Sequence, residues 1–194
     1  WSPLDEDDEF PTLGYDVADW MTDFLLQPDC EELLPFVPTQ EELDFLVRLY
    51  ELDPLTGRRV KSRAVLSRPR GWGKSPFVAA VCCVEAMGPV LCDGWDAAGQ
   101  PVGVPWATRR TPLVQVTATT DDQTANTWAP LLEMLRGSPA QDAYDVDPLD
   151  SFVTMRRGRI ELGQGRPRRH GGPGPDRDLG AQQRWPQARQ DAAQ

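Results

Sequence analysis

One histidine and four cysteines are all that the 194 residues offer a soft metal ion. Cys30, Cys82, Cys83 and Cys92 form no Cys-x-x-Cys ladder and have no matching histidine array, and adjacent Cys82 and Cys83 cannot readily serve one metal or one disulfide. That argues against a zinc module and reads the four as reduced core residues of an intracellular protein. No run of about 18 apolar residues is present, so no membrane helix is expected. The opening WSPLDEDDEF is the reverse of the basic start of a signal peptide. A soluble chain that is not secreted is expected, and because it opens on Trp1 rather than Met it reads as cut from a longer frame.

Positive charge is also scarce where it would matter for a broad nucleic-acid face. The net charge is −10, with 11 Lys/Arg against 26 Asp/Glu in residues 1–155 and 9 against 4 in residues 156–194. Neutralising a phosphate backbone needs clustered Lys and Arg, so the acidic body leaves room for local contacts only. The length suits one domain with a real core and is too short for two large ones.

What is present is a sequence of amphipathic segments. YDVADWMTDFLL sets Val17, Trp20, Met21, Phe24 and Leu25 on one helical stripe behind Asp16 as N-cap, a helix that must dock on something. VPTQEELDFLVRLYELD repeats the pattern, with Thr39 and Glu42 spaced as a capping box and Leu43, Leu46, Val47 and Tyr50 facing inward. SRAVLS, residues 62–67, is short, apolar and partly β-branched, and predicts a strand. After a Pro/Gly-containing loop, KSPFVAAVCCVEAMG is apolar nearly all round, which predicts a buried helix stopped by Gly88. Residues 89–112 read as a short strand or hairpin with turns at Asp93-Gly94 and Ala98-Gly99. PLVQVTA follows as a strand. TDDQTANTWAPLLEMLRG is expected to be a helix, with a second capping box at Thr120 to Gln123, a bend at Pro130 and an end at Gly137. SFVTMRRGRIEL predicts a hairpin around Arg157-Gly158.

Strand, loop and buried helix in that order are the setting a phosphate-binding loop requires. In LSRPRGWGKSPF, Gly71 and Gly73 allow close backbone approach, Lys74 is the phosphate lysine and Ser75 the hydroxyl for Mg²⁺. Arg68 stands where the standard pattern has its first glycine. The alternative is a solvated Arg-rich turn with a chance Gly-Lys-Ser, but two arginines beside a lysine are costly to hold together without an anion, and a triphosphate supplies one. The fold class expected is α/β: a P-loop NTPase-type parallel sheet with flanking helices, incomplete, and a disordered C-terminal tail.

SRPRGWGKS resembles the deviant Walker A loop of the large terminase subunits of tailed bacteriophages, which replace the leading glycine and carry an arginine proposed to act in cis on the transferring phosphate. PFVPTQEELDFL is similar to the adenine-contacting segment of those motors, LVQVTATTDDQTANTW to the strand and helix that follow, and GYDVADWMTDFLLQPD to their N-terminal entry. The likeness covers roughly residues 11 to 161. It implies ATP and Mg²⁺ as cofactors, Lys74 and Ser75 on triphosphate and metal, and Arg68 or Arg70 as the catalytic, phosphate-sensing arginine. Gly71, Trp72 and Gly73 would complete the nucleotide loop, and Gln40 would lie near the base. The plainer readings are that Gln40 is a helix-start glutamine and that Trp72 covers the core. The intact family drives duplex phage DNA into a procapsid, as a homo-oligomeric ring at the portal with a small terminase subunit, in the cytoplasm of the bacterial host and away from any membrane.

Two parts of such a motor are missing from the sequence. Phosphoryl transfer to water needs an acid at the end of a neighbouring strand and a second carboxylate to orient water. Asp121 and Asp122 follow PLVQVTATT but read as helix-start residues. No clustered carboxylates of a metal-dependent nuclease are found. From Gly163 onward Gly, Pro, Arg and Gln dominate and no core can be built. Codon choices exist for which Gln164 to Asp191, read in a shifted frame, spell an apolar strand ending in Asp and Glu. The expected division is therefore an acidic flexible N-terminus over 1–14, a partial ATPase domain over 15–162, and an out-of-frame or disordered tail over 163–194. The tail read as a genuine basic arm for DNA is the alternative, and His170 is then neither catalyst nor ligand. The function expected is an ATP-binding terminase fragment that does not package or cut DNA. A helicase-like ATPase and a non-catalytic remnant docking on partner subunits through the Trp20 helix are the rivals.

Overall fold

The computed structural model of the chain describes residues 10–118 and 121–163, with backbone alone at 121–123. Among the described residues there are five α-helices and two sheets, and one of the helices is apolar on most sides. That helix, α3 (Lys74–Met87), buries Phe77, Ala79, Ala80, Cys83, Val84, Ala86 and Met87. The all-round apolar run leaves no polar face to give to water, so neighbours must cover it on several sides. α4 (Asp121–Leu135) covers one side with Leu131, Met134 and Leu135, all fully buried. α3 ends at Gly88, whose backbone turns extended at φ −81° and ψ 176°, and a Cβ there would come within 2.2 Å of Val84 Cγ2.

α1 (Gly14–Phe24) and α2 (Gln40–Leu49) pack together across the other side. The capping box expected at Thr39 and Glu42 is formed: Thr39 Oγ1 accepts from the Glu42 N–H, and the Glu42 carboxylate accepts from the Thr39 N–H at 2.8 Å. Asp16 is not the N-cap of α1, because the helix starts two residues earlier. There Thr12 Oγ1 accepts from the Gly14 N–H at 3.0 Å and donates to Val47 O at 2.7 Å. Trp20 is buried within the chain, stacked 5.3 Å from Phe24, its Nε1–H donating to Tyr144 Oη at 2.7 Å in α5 (Pro139–Tyr144). The docking that the Trp20 stripe demands is therefore internal, and that face is not free for a partner.

β1 (Leu91–Trp95) and β2 (Pro101–Val104) form an antiparallel hairpin. Its turn is at Asp96–Gln100, where the Asp96 carboxylate accepts from the Ala98 and Gln100 N–H groups. Asp93-Gly94, expected as a second turn, instead lies inside β1 where the register shifts, with Gly94 at φ 122°. The second sheet has the order β3-β6-β5-β4, from β3 (Leu113–Val116), β4 (Asp147–Pro148), β5 (Phe152–Thr154) and β6 (Arg159–Leu162). β5 and β6 make the hairpin expected around Gly158, which takes φ 111°. Only β3 and β6 run parallel, so the sheet is mixed rather than the parallel one expected.

Residues 62–67 do not form the expected strand. Strand geometry needs a partner ladder, and among the described residues none lies beside this segment, so Val65 stays 83% exposed. The segment is anchored upstream instead. Arg59 makes a forked pair with Glu85 of α3 at 2.7 and 3.0 Å, donates to Val90 O and lies 4.5 Å from the Tyr50 ring centroid. The Tyr50 hydroxyl donates to the same carboxylate at 2.9 Å. Of the cysteines, Cys83 is buried and Cys82 and Cys92 are half-buried, whereas Cys30 is exposed on a loop and is not a core residue. Gln164 to Gln194, with the shifted-frame reading and the basic-arm alternative, lie outside the described residues, as do Trp1 to Glu9 and Thr120.

A Cβ on Gly14 would stand 2.4 Å from Val47 Cα, so Gly14→Ala forces α1 and α2 apart and is expected to cost about 1–3 kcal/mol in urea unfolding. Burial, with Glu85 adding to it, pushes the Cys82 thiol up to about 11, and burial first, then Glu85, holds the Tyr50 proton well above its usual range. Both groups keep their protons more firmly folded than unfolded, so the stability they contribute is present below their unfolded values and is lost as pH rises past them. The urea midpoint should fall from about pH 9 toward pH 11, and Cys82→Ser should flatten that limb.

Candidate functional site

The loop from Ser67 to Gly73 leads directly into the N-terminus of α3. Two of its residues have left-handed backbone, Gly71 at φ 85° and Gly73 at φ 97°, and a Cβ at either would meet nothing within 4 Å. Glycine is needed there for conformation rather than for space. The turn aims the loop so that the chain enters α3 with Gly73 as N-cap, and the first helical bond closes from the Phe77 N–H to Gly73 O at 3.1 Å. The Lys74 and Ser75 N–H groups precede that bond and have no partner within the helix. Pro76 has no N–H to leave unsatisfied, and its position in the first turn suits its fixed φ.

Lys74 folds back over the loop. Its Nζ donates to Arg68 O at 2.9 Å and to Pro69 O at 2.6 Å, which uses two of the ammonium's three donors and leaves one. A cation held by carbonyls at a helix N-terminus, beside unpaired N–H groups, is chemically complementary to a phosphate. Ser75 lies in the first turn of α3, half-buried. It can offer a divalent ion one hydroxyl oxygen. No group of three or more His, Cys, Asp or Glu able to hold a metal occurs among the described residues. The residues present therefore fit a polyphosphate, and fit Mg²⁺ as an ion that keeps water and phosphate oxygens for its other ligands.

The two loop arginines differ. Arg68 Nη2 is 2.5 Å from Glu41 Oε1 in the first turn of α2, and its guanidinium lies 5.6 Å from the Trp72 ring centroid. Trp72 Nε1–H donates to the other oxygen of the same carboxylate at 2.8 Å. Arg70 is exposed. Trp72 packs edge-on to Phe77 at 6.1 Å, and Phe77 to Phe45 of α2 at 5.6 Å, so the tryptophan does cover the core. The Glu41–Arg68 pair is partly exposed, which puts its contribution to global stability at about 0.2–1 kcal/mol. Its effect is local.

Gln40 is the residue before Glu41, which brings the helix start beside the loop. Its amide donates to Asp44 Oδ1 at 2.7 Å within α2. Gln40 itself is exposed, with that helical bond as its contact. Asp121 and Asp122 open α4, as their helix-start reading expects. Sequence reasoning missed Glu41. Its signal was visible as an acidic residue in the first turn of a capped helix, but such residues are common, and only the fold brings it to the loop.

Two other features compete for attention and lie elsewhere. An apolar cavity of about 290 Å³, with Met87, Tyr144 and Met155 in its wall, opens at the far end of α3, roughly 20 Å of helix from the loop. A basic depression of about 540 Å³ collects Arg58, Arg59, Lys61, Arg109 and Arg110. Three of those cations are already paired, Arg59 with Glu85, Lys61 with Glu51 and Arg109 with Asp93. No helix among the described residues is long and apolar enough to cross a membrane.

No family model matches the chain. It is 30% identical over 179 residues to the Gene 13 protein of Mycobacterium phage L5, and 29% identical over 177 residues to the Gene 13 protein of Mycobacterium phage D29. Each match takes in 80% of this chain and spans 29% of the length of the phage protein. Among solved structures, the large terminase of bacteriophage HK97 superposes with a TM-score of 0.54 at 19% identity, over 77% of this chain and 27% of that one. The likeness to large terminases seen in the loop and its flanking segments thus has a counterpart in the fold, and in sequence the chain is similar to under a third of the length of two phage proteins.

Proposed function

We propose that this chain is the nucleotide-binding part of a large terminase subunit and that the loop Arg68–Ser75 takes ATP with Mg²⁺. The observation that supports this reading best is the arrangement at the N-terminus of α3. Gly71 and Gly73 are left-handed, Lys74 is held over the loop by two carbonyls, and the Lys74 and Ser75 N–H groups have no helical partner. In this reading Lys74 and the loop N–H groups bind the β and γ phosphates, Ser75 gives Mg²⁺ one ligand, and Gln40 lies on the side where the base would rest. Trp72 walls the loop. Bound ATP would bring the phosphoanhydride bond and the Mg²⁺ that neutralises its charge.

Binding without rapid turnover is the expected behaviour. Hydrolysis needs a carboxylate following a strand next to the loop, and β3 is followed by Thr117 and β6 by Gly163. A P-loop-type sheet would further require residues 62–67 to gain a strand partner. Duplex phage DNA, a small terminase subunit, a portal and a ring of copies belong to the proposal for the longer protein, as does the cytoplasm of the bacterial host as its place of action. The resemblance to large terminases favours this reading over a helicase-like one.

Isothermal titration of the chain with ATP and Mg²⁺ tests it. Lys74→Ala should weaken binding about 10- to 100-fold through loss of a charge-assisted contact, and Ser75→Ala should remove only the part of the affinity that depends on Mg²⁺. Equal affinity in wild type and Lys74→Ala would overturn the assignment.

A further inference from the structure

A loop containing two left-handed glycines has a large unfolded ensemble and needs something to fix its shape. In a sheet, the strand before such a loop would do it. Here residues 62–67 carry no strand pairing. The Glu41 carboxylate instead takes one donor from Arg68, at the start of the loop, and one from Trp72, near its end. These two side chains also stack on each other, 5.6 Å from guanidinium carbon to ring centroid. The three groups bracket Pro69, Arg70 and Gly71 and tie both ends of that arch to the first turn of α2.

We propose that Glu41, Arg68 and Trp72 form a strut that sets the shape of the phosphate loop against α2, making Glu41 and Arg68 positioning residues for the bound nucleotide. This rests on the nucleotide-binding reading above and deepens it. The phosphates then fall to Lys74 and the loop N–H groups, with Arg70 the loop arginine outside the strut. The strut also joins the loop to the turn that carries Gln40, so a shift of the loop is passed to α2. A competing arrangement is possible in chemistry: Glu41 could simply neutralise Arg68 until a phosphate replaces it. The two differ in sign. A strut predicts weaker nucleotide binding when Glu41 loses its charge, and a competitor predicts tighter binding.

The test uses the 194-residue chain as wild type, Glu41→Gln, Arg68→Gln and the double variant, with Trp72→Phe breaking the other arm. Hydrogen exchange of the amides from Arg68 to Ser75, read without nucleotide, should accelerate about threefold or more in each variant while exchange in α4 stays unchanged. Affinity for ATP with Mg²⁺ should fall about 5- to 10-fold in each single variant, and the double variant should be no worse than the singles because both break one device. Tighter binding by Glu41→Gln, additive losses, or unchanged loop exchange would overturn the strut. If Lys74→Ala binds nucleotide as wild type does, the nucleotide reading fails, and loop exchange alone still decides for or against the strut. If Glu41→Gln fails to fold, Trp72→Phe decides on the same readouts.

Discussion

The need to cover α3 organises most of what is described. Its sequence gives nearly every face to the interior, so a structure that leaves it isolated would expose Phe77, Val84, Met87 and the cysteines to water. α4 answers with a leucine and methionine face. α1 and α2 answer with theirs, meeting so closely at Gly14 that no side chain fits between them. Because α3 is packed on several sides, its N-terminus is a fixed point onto which the preceding loop leads. The core thus produces the site, linking a packing constraint to a placement of N–H groups and one lysine.

The loop is secured by charge and aromatic contact where a sheet would otherwise hold it. Glu85 and Arg59 pin the chain before residues 62–67, and Glu41 with Arg68 and Trp72 pins it after. Between those two ion pairs the chain crosses an open stretch with Val65 in solvent. Both pairs start from α2 or α3, so the loop is tied to the helices, and the mixed sheet of β3 to β6 lies against α3 from a different side. Local pairs of this kind contribute little to global stability but a great deal to the geometry of a short loop.

Much of this was legible in the residues. The capping box of α2, the buried α3, the strand β3 and the β5–β6 hairpin follow from local chemistry: a Thr and Glu three apart, an unbroken apolar run, and a glycine that must take positive φ. Gly71, Gly73, Lys74 and Ser75 announced themselves by spacing. What was not legible depends on partners distant in sequence. Residues 62–67 have strand composition without a strand to pair with, and Asp93-Gly94 has turn composition but is absorbed into β1, leaving the turn to the Asp96 carboxylate. The Trp20 stripe called for a surface without saying whose. Glu41 became notable only when α2 was seen to meet the loop 31 residues later in the chain.

The N-terminus of α3 is the proposed nucleotide site. An amide-resolved NMR titration with ATP and Mg²⁺ addresses it most directly, because the chain also holds a basic depression at Arg58 and Arg110 that could attract any polyanion. Binding at the proposed site makes shifts saturate first at Gly71, Trp72, Gly73, Lys74 and Ser75 and spread to the start of α2. Shifts centred on Arg58 to Lys61 and Arg109 to Arg110, with the loop unmoved, would contradict it.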